Sequence, residues 1–156
     1  MAARSPGIIV GWREWVALPE LGLPAVKAKV DTGAKTSSLH AFDLEVFRVG
    51  GRRRVRFGVH PVQFDEETTV WAEADVVDER TVTSSSGHDE HRVVIRTPLQ
   101  LGDQTWPVEV TLTDRRTMRL RMLLGRQAME GRLLVDPAAS YLHGVVKQPA
   151  HLYRAR

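Results

Sequence analysis

Apolar residues recur at every second position over much of the chain, as in Phe42, Leu44 and Val46, in Val55, Phe57 and Val59, and in Val108, Val110 and Leu112. A period of two is the mark of a strand with one buried face. Val, Thr, Phe and Trp, which pack well on a pleated surface, are enriched between the breaks. Turn chemistry separates the runs at Pro19-Glu20-Leu21-Gly22, Gly50-Gly51 and Gly102-Asp103. The paired glycines suit a type I′ hairpin, which needs positive φ at both central positions. Only Leu123 to Glu130, LLGRQAME, reads as helix, and it is short. Thr83 to His91, TSSSGHDEH, lacks apolar anchors and lies between two apolar runs, so it is predicted to be a mobile hairpin tip. The pattern predicts an all-β chain, a barrel or sandwich that protects its sheet edges by closure or by pairing with another copy.

Composition narrows this picture. A chain of 156 residues, 42% hydrophobic and 26% charged, is expected to form one domain over residues 1–156 with its own core. No apolar run approaches the roughly 20 residues that span a bilayer, and Met1 to Gly11 is too short and weakly apolar for a secretory signal. A cytoplasmic protein without a membrane partner is the expectation. The absence of cysteine excludes disulfides, thiol nucleophiles and thiolate metal sites. The net charge of +3 is concentrated in Arg52-Arg53-Arg54-Val55-Arg56 and in Arg115 to Arg121, which favours an acidic partner. No aromatic is interleaved as a base-stacking platform requires, so both clusters read as solvated strand faces and no specific nucleic acid is implied.

The candidate chemistry lies in VDTGAKTSSL, Val30 to Leu39. An alternating strand delivers Asp31 to a bend that the Thr32 hydroxyl can tie and that Gly33 lets turn through a conformation closed to residues with Cβ. A carboxylate there can activate water, but it needs a second acid. Two carboxyl groups sharing one proton supply base and acid together, because like charges a few ångströms apart cannot both ionise. The partner is either internal or the same Asp31 from a second copy across a two-fold axis. The one internal echo is LVDPAASYLHG, Leu134 to Gly144, where Pro137 and Ala138 replace Thr and Gly. Ala34 offers no hydroxyl to the carboxylate, so the pair is expected to titrate higher and work nearer neutrality.

VDTGA after an apolar strand, with MLLGR far downstream, resembles the retropepsin-like aspartic peptidases. VDTGAKTSSLHA, SSSGHDEHRVVI, VTLTDRRTMRLRMLLGRQAM and LLVDPAASY, in that order, resemble more closely a bacterial family that carries the name ATP-dependent zinc protease and is associated with an ATP-grasp ligase adding glutamates to a ribosomal protein. The match runs from about Ile8 to Tyr141. The resemblance implies a closed retropepsin-like barrel with one short helix near the C-terminus. It makes Asp31 the catalytic carboxylate, Thr32 and Gly33 its turn, and Ala34, Gly125 and Arg126 the support of the site. It also makes the segment around Ser86, Gly87, Glu90 and Arg92 a flap over substrate. Lys35 stands where viral relatives often carry an acid, so Arg126 needs another partner. The activity implied is hydrolysis of a peptide or isopeptide-like amide by a homodimer, on an acidic peptide or glutamate-tailed protein, with the glutamate ligase as a possible partner. The alternatives are a noncatalytic binding module for a ribosomal or ligase partner, and a zinc-dependent hydrolase as the family name states.

Zinc finds little support in ligand spacing. The helical His-Glu-x-x-His signature is absent, and His40, His88 and His91 are the only candidates, with His40 near enough in sequence to Asp31 to face the same site. No cofactor is therefore expected. Ser37, Ser38 and Ser84 to Ser86 lack a nucleophile-elbow setting, and no phosphate loop is present, so ATP dependence would belong to a partner.

Overall fold

The computed structural model of the chain describes residues 7–83, 87–114 and 119–154. Among these residues the strands are β1 (Ile8–Val10), β2 (Arg13–Leu18), β3 (Leu23–Val30), β4 (Ser37–His40), β5 (Phe42–Val49), β6 (Arg52–Val59), β7 (Val70–Thr83), β8 (Asp89–Leu101), β9 (Gln104–Thr113), β10 (Met122–Leu124) and β11 (Leu133–Val135). Two short helices are α1 (Arg126–Met129) and α2 (Pro149–Arg154). The strands β2-β3-β10-β4-β9-β8 pair in that order, and Ala17 in β2 meets Gln100 in β8 to close the ring. The expected all-β fold is thus a closed barrel of six strands, not a sandwich. From β8 the sheet continues outward as β7, β6 and β5, while β1 and β11 form a separate parallel pair.

Alternation builds the interior. In β9 the residues Trp106, Val108, Val110 and Leu112 turn inward, and in β2 the inward set is Glu14, Val16 and Leu18. The apolar members of both sets meet Leu39, Ile95, Met122 and Leu124 in one core. Burying each such aliphatic side chain stabilises the fold by about 1.5–3 kcal/mol. Gly50 and Gly51 take φ of 57° and 81°, as the type I′ turn requires. In β5 the alternation breaks. Asp43 has φ of 51° and the register with β6 shifts between Phe42 and Glu45, so Val46 and Val49 face solvent while Phe47 is half-buried.

Three expectations change. The predicted helix over 123–130 is strand through Leu124 and helix only from Arg126, because Met122 to Leu124 pair with β3 on one side and β4 on the other. Among the described residues there are two α-helices, not one: α2 lies beyond the matched core and buries Tyr153, whose hydroxyl donates to the Ala25 carbonyl at 2.5 Å. The polar segment 83–91 is not all hairpin tip. Thr83 pairs with Asp89 and Thr81 with His91, so the backbone ladder continues where hydrophobic alternation has stopped.

The first arginine cluster is compensated within the molecule. Arg54 donates to Asp75 at 2.8 Å, Arg53 to Glu79, and the Arg56 guanidinium lies 4.5 Å from the centre of the Trp71 ring. Of the second cluster, Arg115, Arg116, Thr117 and Met118 lie outside the described residues, and Arg121 is buried rather than solvated.

Glu14 carries a tertiary link that sequence patterning missed. It is fully buried, and its carboxylate accepts from the backbone N–H groups of Gly11 at 2.7 Å, Leu142 at 3.0 Å and His143 at 3.2 Å. This fastens the segment after β11 onto β2. Glu14→Gln places an NH₂ group where the surroundings offer only donors. A buried unsatisfied polar group costs about 1–3 kcal/mol, so urea denaturation should show a lower midpoint with an unchanged slope.

Candidate active site

β3 carries Asp31 to the barrel rim and the ladder holds it there. Val30 N–H donates to the Trp12 carbonyl at 2.8 Å, and Asp31 N–H donates to the Leu124 carbonyl at 2.9 Å. The chain then turns on the side chain itself: Gly33 N–H donates to Asp31 Oδ1 at 2.9 Å, and Ala34 N–H to the Asp31 carbonyl at 3.3 Å. Asp31 is half-buried, while Thr32 and Gly33 are exposed. Gly33 is not in the left-handed region, contrary to the sequence expectation. Its lack of a side chain matters through space, since a Cβ there would stand 3.1 Å from Asp31 Oδ1.

Behind the turn lies a platform made by the start of α1. Arg126 N–H donates to the Ala34 carbonyl at 2.8 Å, Gln127 N–H to the Lys35 carbonyl at 3.0 Å, and Gly125 N–H to Ser37 Oγ at 3.0 Å. A Cβ on Gly125 would sit 2.5 Å from the Thr36 carbonyl carbon and oxygen, so glycine is what allows the two segments to touch. The partner that Arg126 lacks at Lys35 is a backbone group: its Nη1 donates to the Thr32 carbonyl at 3.0 Å. Asp31, Thr32, Gly33, Ala34, Gly125 and Arg126 are therefore brought together, and Ser37, which sequence reading did not assign to the site, joins them. Its signal was weak, one serine among several.

The echo at Asp136 is one of local shape. Asp136 Oδ1 accepts from Ala138 N–H at 3.0 Å and its carbonyl from Ala139 N–H at 3.1 Å, repeating the two bonds of the Asp31 turn. That turn sits beside Val10, to whose carbonyl Asp136 N–H donates at 2.8 Å. Among the described residues, no second carboxylate is hydrogen-bonded to Asp31.

The flap residues occupy the far end of the β7–β8 hairpin. Ser86 lies outside the described residues; Gly87 is exposed with φ of 84°. Glu90 accepts from Arg92 at 3.2 Å and from the Thr113 hydroxyl at 2.8 Å, which ties the hairpin to the end of β9. Across the hairpin, the bond from Arg80, aided by the Glu79 N–H, holds the Asp78 carboxyl below the usual carboxylate range.

The three histidines do not converge. His40 is fully buried with Nδ1 3.9 Å from Asp114, His91 meets Glu79 at 2.8 Å on the exposed hairpin, and His88 is exposed near its tip. His40 N–H bonds to the Arg121 carbonyl and Asp31 N–H to that of Leu124, so the two are separated along β10 by three residues, about 10 Å of strand. His40 does not share the site of Asp31. No group of three or more potential metal-ligating side chains forms among the described residues, so His40, His88 and His91 do not together make a zinc site.

One cleft borders the turn at Thr32, and a second is lined by Lys29, two residues before Asp31. The first, of about 830 Å³, is lined by Thr32, Arg126, Met129, Leu133 and Val135 among others. The second, of about 410 Å³, is lined by Trp12, Arg13, Lys29, Gln63, Arg119, Leu120 and Leu123. No helix among the described residues is long and apolar enough to cross a membrane.

Comparison with known proteins agrees with this geometry. Residues 9–145 match the family model described as RimB-like, retropepsin-like aspartic endopeptidase RimB. The chain is 49% identical over 140 residues to a probable alpha-L-glutamate ligase of Desulfotalea psychrophila and 52% identical over 141 residues to one of Parasynechococcus marenigrum. Each alignment covers 90% of this chain but only 30% of the relative. Among solved structures, a protein of unknown function from Legionella pneumophila superposes with a TM-score of 0.77 at 28% identity, covering 89% of this chain and all of the other.

Proposed function

The chain belongs to the RimB-like family of retropepsin-like aspartic endopeptidases, and from that premise we propose that it is a homodimeric aspartic amide hydrolase acting on glutamate-rich or glutamate-tailed protein chains. The observation that carries the reading is the presentation of Asp31. Its carboxylate is half-buried at a barrel rim, its turn is clamped by Arg126 and Gly125, and its bond from Gly33 uses one oxygen. Such a group lacks only a second acid. A two-fold axis beside the turn supplies it as the partner's Asp31. One carboxylate then takes a proton from water while the other, protonated, donates to the amide, so water adds across the C–N bond and a carboxylic acid and an amine leave.

The glutamate assignment is supported by the relatives. A segment like this chain makes up 30% of proteins named as glutamate ligases, and an amide hydrolase beside such a ligase would act on the bond the ligase makes. The ATP-grasp ligase is accordingly the proposed partner.

The test is direct. Purified chain is incubated with a peptide bearing an α-linked glutamate tail and with the same peptide carrying a glutamine tail, and products are read by mass spectrometry. Shortened glutamate-tailed product is expected, with the glutamine peptide cut more slowly. Cleavage of neither peptide, with the ligase present or absent, overturns the proposal.

A further inference from the structure

The smaller cleft gathers three cations that have no acidic partner among the described residues. Arg13 in β2 and Lys29 in β3 stand directly opposite each other across the strand pair, and Arg119 closes the same cleft. Like charges directly opposite destabilise a sheet. No acidic side chain lines the cleft, and among the described residues none of the three cations forms an ion pair. Arg52, Arg53 and Arg54 of β6, by contrast, each meet an acid.

Two of the groups are held in place. The Arg13 guanidinium lies 4.5 Å from the Trp12 ring and 4.8 Å from that of Tyr141, with Nε donating to Ser140 at 3.2 Å. Gln63 accepts from Lys27 at 2.9 Å, which leaves its NH₂ group as what it can offer a ligand. Leu120 and Leu123 add aliphatic wall. A group with a methylene stem and an anionic head fits this lining: the stem lies on the leucines and the head meets Lys29, Arg119 and the Gln63 amide.

Position gives the cleft its role. Lys29 precedes Asp31 by two residues, and the strand alternation that buries Val30 puts both on one face, about 7 Å apart along the chain. Resting on the amide-hydrolase reading above, the structure assigns the cleft between Arg13, Lys29 and Arg119 as the subsite that receives a glutamate side chain next to the scissile amide, with Lys29 as the specificity-determining residue.

The test separates binding from hydrolysis. Anisotropy of two labelled peptides, one glutamate-rich and one with glutamine at the same positions, is measured on Asp31→Asn chain with and without Lys29→Gln. The glutamate peptide should lose about tenfold in affinity on Lys29→Gln, as removal of one charge-assisted contact implies, while the glutamine peptide is unchanged. Lys29→Glu should shift preference to a lysine-bearing peptide. Equal weakening of both peptides, or no weakening of either, overturns the subsite. So does single-stranded RNA that competes as well as the glutamate peptide and loses affinity equally on Lys29→Gln. If the native chain cleaves nothing while the Lys29-dependent preference persists, the hydrolase reading falls and the subsite stands. If it cleaves and Lys29→Gln leaves the ratio of glutamate to glutamine cleavage unchanged, the subsite falls alone.

Discussion

Asp31→Asn should leave a folded protein that has lost amide hydrolysis by about three orders of magnitude or more, the size of effect expected when the group that takes the proton is removed. The substitution is nearly isosteric, and Asn Oδ1 can still accept from Gly33 N–H, so the turn and the platform beneath it keep their bonds. What disappears is a carboxylate able to hold and release a proton. Mixing subunits adds a second reading. If each site needs Asp31 from two chains, exchange with an excess of Asp31→Asn makes heterodimers in which the dyad is broken, and activity falls with the square of the native fraction. If one chain holds the whole site, activity falls only in proportion to dilution. Steady-state rates over a mixing series distinguish the curves, and a linear fall would remove the two-chain dyad. A noncatalytic binding module would instead hold its partner unchanged through the Asp31→Asn substitution.

The distinction matters because the sequence revealed the turn more readily than its surroundings. Alternation in β6 and β9 was visible because one face of each packs on the core. It failed in β5, where a bulge at Asp43 reverses the faces, and at the start of β8, where both faces are polar and only the backbone ladder defines the strand. LLGRQAME looked helical because a three-residue strand between two neighbours is uniformly apolar, and periodicity cannot tell that from a buried helical turn. In the site, Asp31 and Gly125-Arg126 could be read from motif spacing, since each lies in a short contiguous signature. Lys29, Arg13, Gln63 and Arg119 could not, because they come from four separate stretches that strand pairing and tertiary packing bring together. Glu14 and its bonds to Leu142 and His143 were hidden for the same reason.

Gly125→Ala tests whether that assembly controls the chemistry. Gly125 has φ of −93° and ψ of 175°, extended values that any residue adopts, so the backbone itself does not demand glycine. The demand comes from contact: the added methyl would lie 2.5 Å from two backbone atoms of Thr36 and 3.0 Å from the Ser37 nitrogen, none of which can rotate away as a side chain could. Relief requires β10 and α1 to separate from the segment 34–37. That segment carries the Ala34 and Lys35 carbonyls bonded by Arg126 and Gln127, so the base of the Asp31 turn must move with it. Overpacking of this kind costs about 3 kcal/mol, to be read as a lowered denaturation midpoint. Hydrolysis measured well below the new midpoint should still be reduced about 100-fold, because a displacement near 1 Å at a catalytic group has that effect. Ser37→Ala provides the contrast, since it removes the hydroxyl bonded to Gly125 N–H and adds no bulk; its cost should be about 1 kcal/mol with most activity kept. Equal losses from the two substitutions would place the control in the hydrogen bond. A large loss from Gly125→Ala alone would place it in the close approach of two backbones, which no side chain at position 125 can substitute.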